Sequence, residues 1–391
     1  MSEPGKISPP VWLMAMAAFT VGCGMRMLDP LLPMVSRDLG VGLGTTAQLI
    51  GGFAIGYALG QLAAGPIGDA MGKLRVAAVA LALYAATLLG ATVAPDFGAL
   101  FGLRVASGLF ASATIPLFMA HIGDNVPFAH RQATLGRFLT GMVMAQLLAG
   151  PVSGVVAEAS GWRGAFLVLG LLAATITLVF GVLIGPAWKA GGRGGRVLGL
   201  GGFITLFRKP ATRRLLLASG ADGLLLFGGA MPFIGSALIE LHHRSPAEAG
   251  LIGAGFGLGA YDYTRSAPWL VRRLGERRLV LTGAIGLCIA MTAIAFAPHW
   301  IVVAVATAFM GLLFFMLHGV LQTHATEALP EARGTAVAGF AMSLFIGQSL
   351  GALVFGTLIG TAGFTVGFLA AAIGTALLAA SILRWVLPPP R

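Results

Sequence analysis

Apolar residues run along this chain in blocks of 19 or more, separated by short polar or glycine-rich joints. The blocks fall near residues 11–35, 45–64, 76–94, 98–120, 136–158 and 164–187, then 212–240, 247–270, 279–297, 300–323, 336–360 and 363–387. About 20 apolar residues are what a helix needs to cross a bilayer's ~30 Å hydrocarbon core. The pattern therefore predicts an all-α integral membrane protein with twelve transmembrane helices. One joint stands apart: residues 188–211 are longer, polar and rich in Gly, Arg and Lys. It divides the chain into an N-terminal six-helix bundle over 1–187, a linker over 188–211, and a C-terminal six-helix bundle over 212–391.

The charges assign the joints to two faces. Lys73, Arg75, Arg131, Arg137, Lys189, Arg193, Arg196, Arg213, Arg214 and the Arg272–Arg278 run fall on one face, whereas only Arg37, Arg163 and Arg244 fall on the other. Short loops rich in Lys and Arg stay in the cytoplasm. Both termini are thus expected inside a bacterial cytoplasmic (inner) membrane, with the lipid bilayer as the surrounding partner.

Composition agrees. Hydrophobic residues make up 57% of the 391 and charged residues only 10%, against about 25% charged in soluble domains; the mean hydropathy is +0.90. The net charge of +11 would suggest nucleic acid in a soluble protein. Here it follows from topology, and no basic patch interleaved with aromatics is present, so no nucleic-acid partner is expected. Cys23 and Cys288 lie inside apolar blocks and read as small core residues. No His-x-x-x-His or Cys-x-x-Cys pair, no Gly-x-Ser-x-Gly elbow and no Walker loop occurs. The expectation is a monomer without metal or cofactor that is not an enzyme, and that draws on an ion gradient or on its substrate's own gradient.

The second joint, Gly65-Pro-Ile-Gly-Asp-Ala-Met-Gly-Lys-Leu-Arg75, reads as a tight turn, with Gly68 and Gly72 freeing the backbone. Its Gly65, Asp69, Gly72 and Lys73 resemble the signature between the second and third helices of the major facilitator superfamily, Gly-x-x-x-Asp-x-x-Gly-[Arg/Lys]-[Arg/Lys]. Leu74 departs from it, with Arg75 one place later. Val271–Arg278 echoes this joint in the second half, with Arg272 where the acid would stand. Arg104-Val-Ala-Ser-Gly108 in the fourth span resembles the superfamily's Arg-x-x-x-Gly motif, associated with proton coupling. Gly141 through Gly150-Pro151-Val-Ser-Gly154 in the fifth resembles, in part, the motif of twelve-helix drug antiporters. Pro151 removes a backbone hydrogen bond and permits a hinge at Gly150, Pro151 and Gly154.

The resemblance implies two halves that rock about a central site, and a conformational latch in which Asp69 docks at the start of the eleventh span. Arg131 and Arg137 are alternative partners for Asp69. It also implies that spans 2, 5, 8 and 11 line the seam between the halves. Their glycine pairs (Gly52/Gly56/Gly60, Gly150/Gly154, Gly253/Gly257 with Gly255/Gly259, Gly347/Gly351) suit either that seam or ordinary close packing.

Ionisable groups kept inside a membrane are costly and mark function or pairing. Arg26 and Asp29, three apart in the first span, are expected to share a face, with Arg104 as a second base beside the acid. Asp222 in the seventh span has no Lys or Arg at helical spacing and reads as a lone titrating carboxylate. Asp222, Asp29 and Arg104 are the proton-coupling candidates. Arg26, Asp29, Arg104, Met25, Phe118, Phe227, Tyr261 and His318 are the substrate-binding candidates, with Trp12, Met14, Met16 and Met27 as further wall. Asp262 and Arg265 are expected to neutralise each other. The function this implies is secondary active transport of small organic molecules by alternating access, coupled to protons and directed outward. The alternative is a proton-coupled importer of a small anionic metabolite held by Arg26 and Arg104.

Overall fold

The computed structural model describes residues 9–184, 200–329 and 333–387. The linker portion 188–199, with Lys189, Arg193 and Arg196, lies outside the described residues. All regular structure among the described residues is helical. The helices are α1 (Val11–Arg26), α2 (Leu32–Leu39), α3 (Leu43–Met71), α4 (Lys73–Ala91), α5 (Phe97–Ala111), α6 (Thr114–Asn125) and α7 (Phe128–Ile184). After the linker come α8 (Leu200–Arg208), α9 (Pro210–Asp222), a π-helical turn (Gly223–Ala230), α10 (Met231–Glu240), α11 (Pro246–Gly253), α12 (Gly255–Ala295), α13 (Trp300–Glu327) and α14 (Arg333–Ser381). A second π turn, Ile382–Val386, ends the last span.

Eight helices among the described residues are long and apolar enough to cross a membrane. Three of these are double spans. α7, α12 and α14 reverse at Gly161, Gly275 and Gly363, with φ of 75°, 67° and 84°. The joint between spans 2 and 3 reverses in the same way at Gly72, φ 98°. Only glycine adopts this backbone at little cost, so each of four three-span repeats turns on a single residue. The expected loop over Gly65–Arg75 is therefore shorter than its sequence suggests. α3 runs through Pro66 to Met71 and α4 starts at Lys73.

The first span is not continuous. At ~1.5 Å per residue the 16 residues of α1 fall short of a ~30 Å core, and α2 completes the crossing after a break at residues 27–31 that holds Asp29 and Pro30. Span 4 is interrupted between α5 and α6, and span 7 by the π turn after Asp222. Irregular backbone at membrane depth survives only where protein or a cavity satisfies it. The interrupted spans are thus the ones to search for a site.

The two halves meet along two seams. On one, a Cβ on Gly44 of α3 would lie 2.3 Å from the Gly356 carbonyl oxygen of α14, and the Tyr57 and Phe345 rings touch at 4.4 Å. On the other, Gly150 and Gly154 of α7 meet Gly250 and Pro246 of α11, and Gly257 meets Leu147. Other glycines expected at the seam serve packing within a half. Gly52, Gly56 and Gly60 receive α5, Gly255 and Gly259 receive α13, and Gly347 and Gly351 receive α9 and the π turn. The close approaches lie toward the end that carries Gly44 and Gly356. At the basic end of Lys73 and Arg75, the Asp69 side chain is 65% exposed and Tyr261, Asp262 and Arg265 are exposed. Closure is one-sided.

Candidate functional site

Two buried polar clusters stand out, one in each half. In the N-terminal half, Arg26 is 7% exposed at the last turn of α1. Its Nη1 donates to Asp29 Oδ2 (3.3 Å) and its Nε to Gln146 Oε1 of α7 (3.3 Å). Its guanidinium lies 4.5 Å over the Phe227 ring, which comes from the π turn of the other half. The α1–α2 break aims the Asp29 carboxylate back at Arg26, as the expected local pair requires.

Arg104 is fully buried but does not touch Asp29. Its Nη1 donates to the Gly24 carbonyl (3.0 Å), its Nε to the Leu49 carbonyl (3.2 Å), and its plane lies 4.6 Å over Phe53. It ties spans 1, 2 and 4 together through backbone oxygens, and the expected acid between two bases becomes a single pair. Span spacing alone places Arg104 and Asp29 at one depth. It cannot say that the Gly24 carbonyl of α1 and the Leu49 carbonyl of α3 take the guanidinium first.

In the C-terminal half, Asp222 is not alone. Its Oδ2 lies 2.7 Å from His318 Nδ1 of α13, and both residues are buried. Such a separation requires a proton between the two atoms, on either partner. The imidazole stacks on Phe314 (4.8 Å, 20°) and abuts Phe340 (5.5 Å). Two residues 96 apart in sequence, each an isolated polar group on an apolar helix, prove to be one unit. Asp222 is the last residue before the π turn; π bulges are frequent at functional sites.

The other candidates divide. Phe118 packs at 0% exposure against Phe138 and Phe180. Met14 and Met27 are core, whereas Trp12 and Met16 point outward at 57% and 37% exposure. Met25 is half-buried against the core. Tyr261 is exposed and accepts from Arg265 (3.4 Å), which takes that phenol in place of the expected Asp262. Asp69 lies 3.5 Å from Lys73, which also pairs with Asp124. Gln146 was not foreseen, because one amide among apolar neighbours carries no signal until Arg26 is placed beside it.

Outside the spans, Asp38 at the end of α2 accepts from Arg163 and from Trp162 Nε1 (3.0 Å). These bonds hold its carboxyl below the usual carboxylate range.

A multi-pass helical membrane protein, closed at one end of a two-half seam and with charged groups paired inside it, is a transporter by architecture. The chain belongs to the Major Facilitator Superfamily, whose family profile matches residues 14–226 and 215–391. Among curated relatives, it is 25% identical over 352 residues to the uncharacterized MFS-type transporter YceJ of Bacillus subtilis, covering 89% of this chain and 88% of that one. It is 33% identical over 168 residues to a multi-drug resistance efflux pump PmrA homolog of Lactococcus lactis, covering 41% of this chain and 40% of that one. Among solved structures, a bacterial homolog of the human lysosomal transporter Spinster, described as inward-facing and occupied, superposes with a TM-score of 0.81 at 16% identity, covering 95% of each chain.

Proposed function

We propose that this chain exports small amphipathic organic molecules in exchange for protons, by alternating access between the 1–187 and 212–391 halves. It works as a monomer in a bacterial cytoplasmic membrane, with both termini and the 188–211 linker inside. The observation that carries this reading is the buried Asp222–His318 pair. With one proton the pair is a carboxylate hydrogen-bonded to neutral imidazole and carries a net negative charge. With two it is neutral overall. A pair able to hold either one or two protons can load a proton when the cavity opens to one side and release it when the cavity opens to the other. The similarity to a multidrug efflux pump supports outward direction. Two of the three Arg104 nitrogens are bonded to carbonyls, which weighs against the anion uptake that would rest on a second guanidinium.

In this cycle Arg26 and Asp29 hold the substrate beside Phe227, and the loop of Gly65, Asp69, Gly72 and Lys73 latches the basic end when the seam reverses. The test is proton-gradient-driven counterflow in vesicles with Asp222→Asn and Asp29→Asn made singly. Loss of the pH dependence in Asp222→Asn supports the reading. Unchanged pH dependence in both variants removes proton coupling through these sites.

A further inference from the structure

The polar cluster at the α1–α2 break is incomplete in a specific way. Arg26 uses Nη1 on Asp29 and Nε on Gln146, and its Nη2 is buried with no partner. Asp29 uses Oδ2 on Arg26, and its Oδ1 is buried with no partner. Both residues line one cavity of about 40 Å³, together with Gln146, Met231, Phe256 and Thr307. A single water needs roughly 10–15 Å³ by the same measure. The space therefore admits one amide-sized polar group but not a whole organic molecule, whose body would lie along the Phe227, Phe256 and Phe314 rings that pack against one another nearby.

We propose that this cavity selects the head group of the substrate: electrically neutral, with a hydrogen-bond acceptor beside a donor, as in a primary or secondary amide or a lactam, on an aromatic or apolar body. The carbonyl oxygen accepts from Arg26 Nη2 and the adjacent N–H donates to Asp29 Oδ1. The charges of Arg26 and Asp29 cancel, and Arg104, whose Nη2 is also without a partner, is not among the residues that line this cavity; its Nε and Nη1 go to the Leu49 and Gly24 carbonyls. A carboxylate head would satisfy Nη2 and be driven against Oδ1. An amidinium head would satisfy Oδ1 and be driven against Nη2. In a site this buried, either leaves a charge uncompensated. The inference rests on the reading of Arg26 and Asp29 as the substrate site, and it converts that reading into a charge rule.

Benzamide, benzoate and benzamidinium share one ring and one head-group shape and differ in charge, so they are the probes. Their dissociation constants are measured by NMR titration of the purified full chain in detergent. Wild type is expected to bind benzamide at least tenfold more tightly than either ion. Asp29→Asn, which leaves the site positive, should reverse the order toward benzoate, and Arg26→Gln should reverse it toward benzamidinium. The double variant Arg26→Gln/Asp29→Asn restores neutrality and should restore the benzamide preference, which separates charge selection from loss of fold in a single variant. An unchanged order across all four proteins, or a wild-type preference for either ion, overturns the proposal. So does no measurable benzamide binding, which would mean that the orphaned atoms hold water only. Counterflow through Asp222→Asn reads proton coupling separately. Failure there, with the charge order intact, would remove the coupling and leave the binding rule standing.

Discussion

The Glu158 carboxylate near the end of the fifth span accepts a hydrogen bond of 2.8 Å from the Ala247 amide in the first turn of α11, across the seam between the halves. α11 is already capped by Ser245, which forms a capping box with Glu248. Glu158 therefore adds a negative charge from the other half to a helix N-terminus whose dipole favours it. It is one of the polar ties of the closed end.

Glu158→Gln keeps an acceptor and removes the charge. At ~0.3–1 kcal/mol for an exposed charge at a helix end, the closed population should fall about two- to fivefold relative to the open one. Spin labels at Val93 and Phe296, which are exposed at that end of the two halves, should show a growing long-distance population. An identical distance distribution would mean that the backbone contacts alone hold the end shut.

Glycine contacts make a paired prediction. A Cβ on Gly250 would lie 2.2 Å from the Gly150 carbonyl oxygen of the other half, whereas a Cβ on Gly259 would lie 2.1 Å from the Ala308 carbonyl oxygen of its own half. Overpacking costs ~1–3 kcal/mol in both cases, with different readouts. Gly250→Ala should open the seam with little loss of thermal stability, because the halves can part. Gly259→Ala should lower the melting temperature and leave the label distances unchanged.

Asp222 and His318 should behave as one unit in kinetics. Asp222→Asn and His318→Gln are each expected to lower gradient-driven transport tenfold or more, and the double variant to be no worse than the poorer single. Groups that act together are strongly non-additive. Multiplying losses in the double variant would show two independent roles.

Asp38 supplies the pH dependence. Arg163 and Trp162 depress its folded pKa, so the bonds contribute stability above the ordinary carboxylate pKa of ~3.9. That contribution is lost as pH falls through the depressed folded value. The melting-temperature gap between wild type and Asp38→Asn should be present at pH 6–7, begin to shrink below about pH 4 and close as pH falls past the depressed folded value. The carboxylate is 46% exposed, so the gap should be small and shrink with salt. A gap that widens in acid would reverse the assignment.

The hydrophobic blocks by themselves determined the class of protein, the number of spans and most of their limits, because the demand of hydrocarbon for about 20 apolar residues is local and is met by consecutive residues. The reversals at Gly161, Gly275 and Gly363 are likewise written in short stretches of chain, as is the Arg26–Asp29 pair at a spacing of three. What decides between partners is not local. Asp222 reads as a lone acid and His318 as a lone base until α9 and α13 pack side by side; Arg104 reads as a partner for Asp29 until carbonyls of α1 and α3 come within its reach. Glycine spacing in α3 offers a face without saying which helix covers it, and the structure gives that face to α5. A buried polar group bonds to whatever the packing brings near, and that is set by the meeting of distant helices, which only the tertiary structure contains.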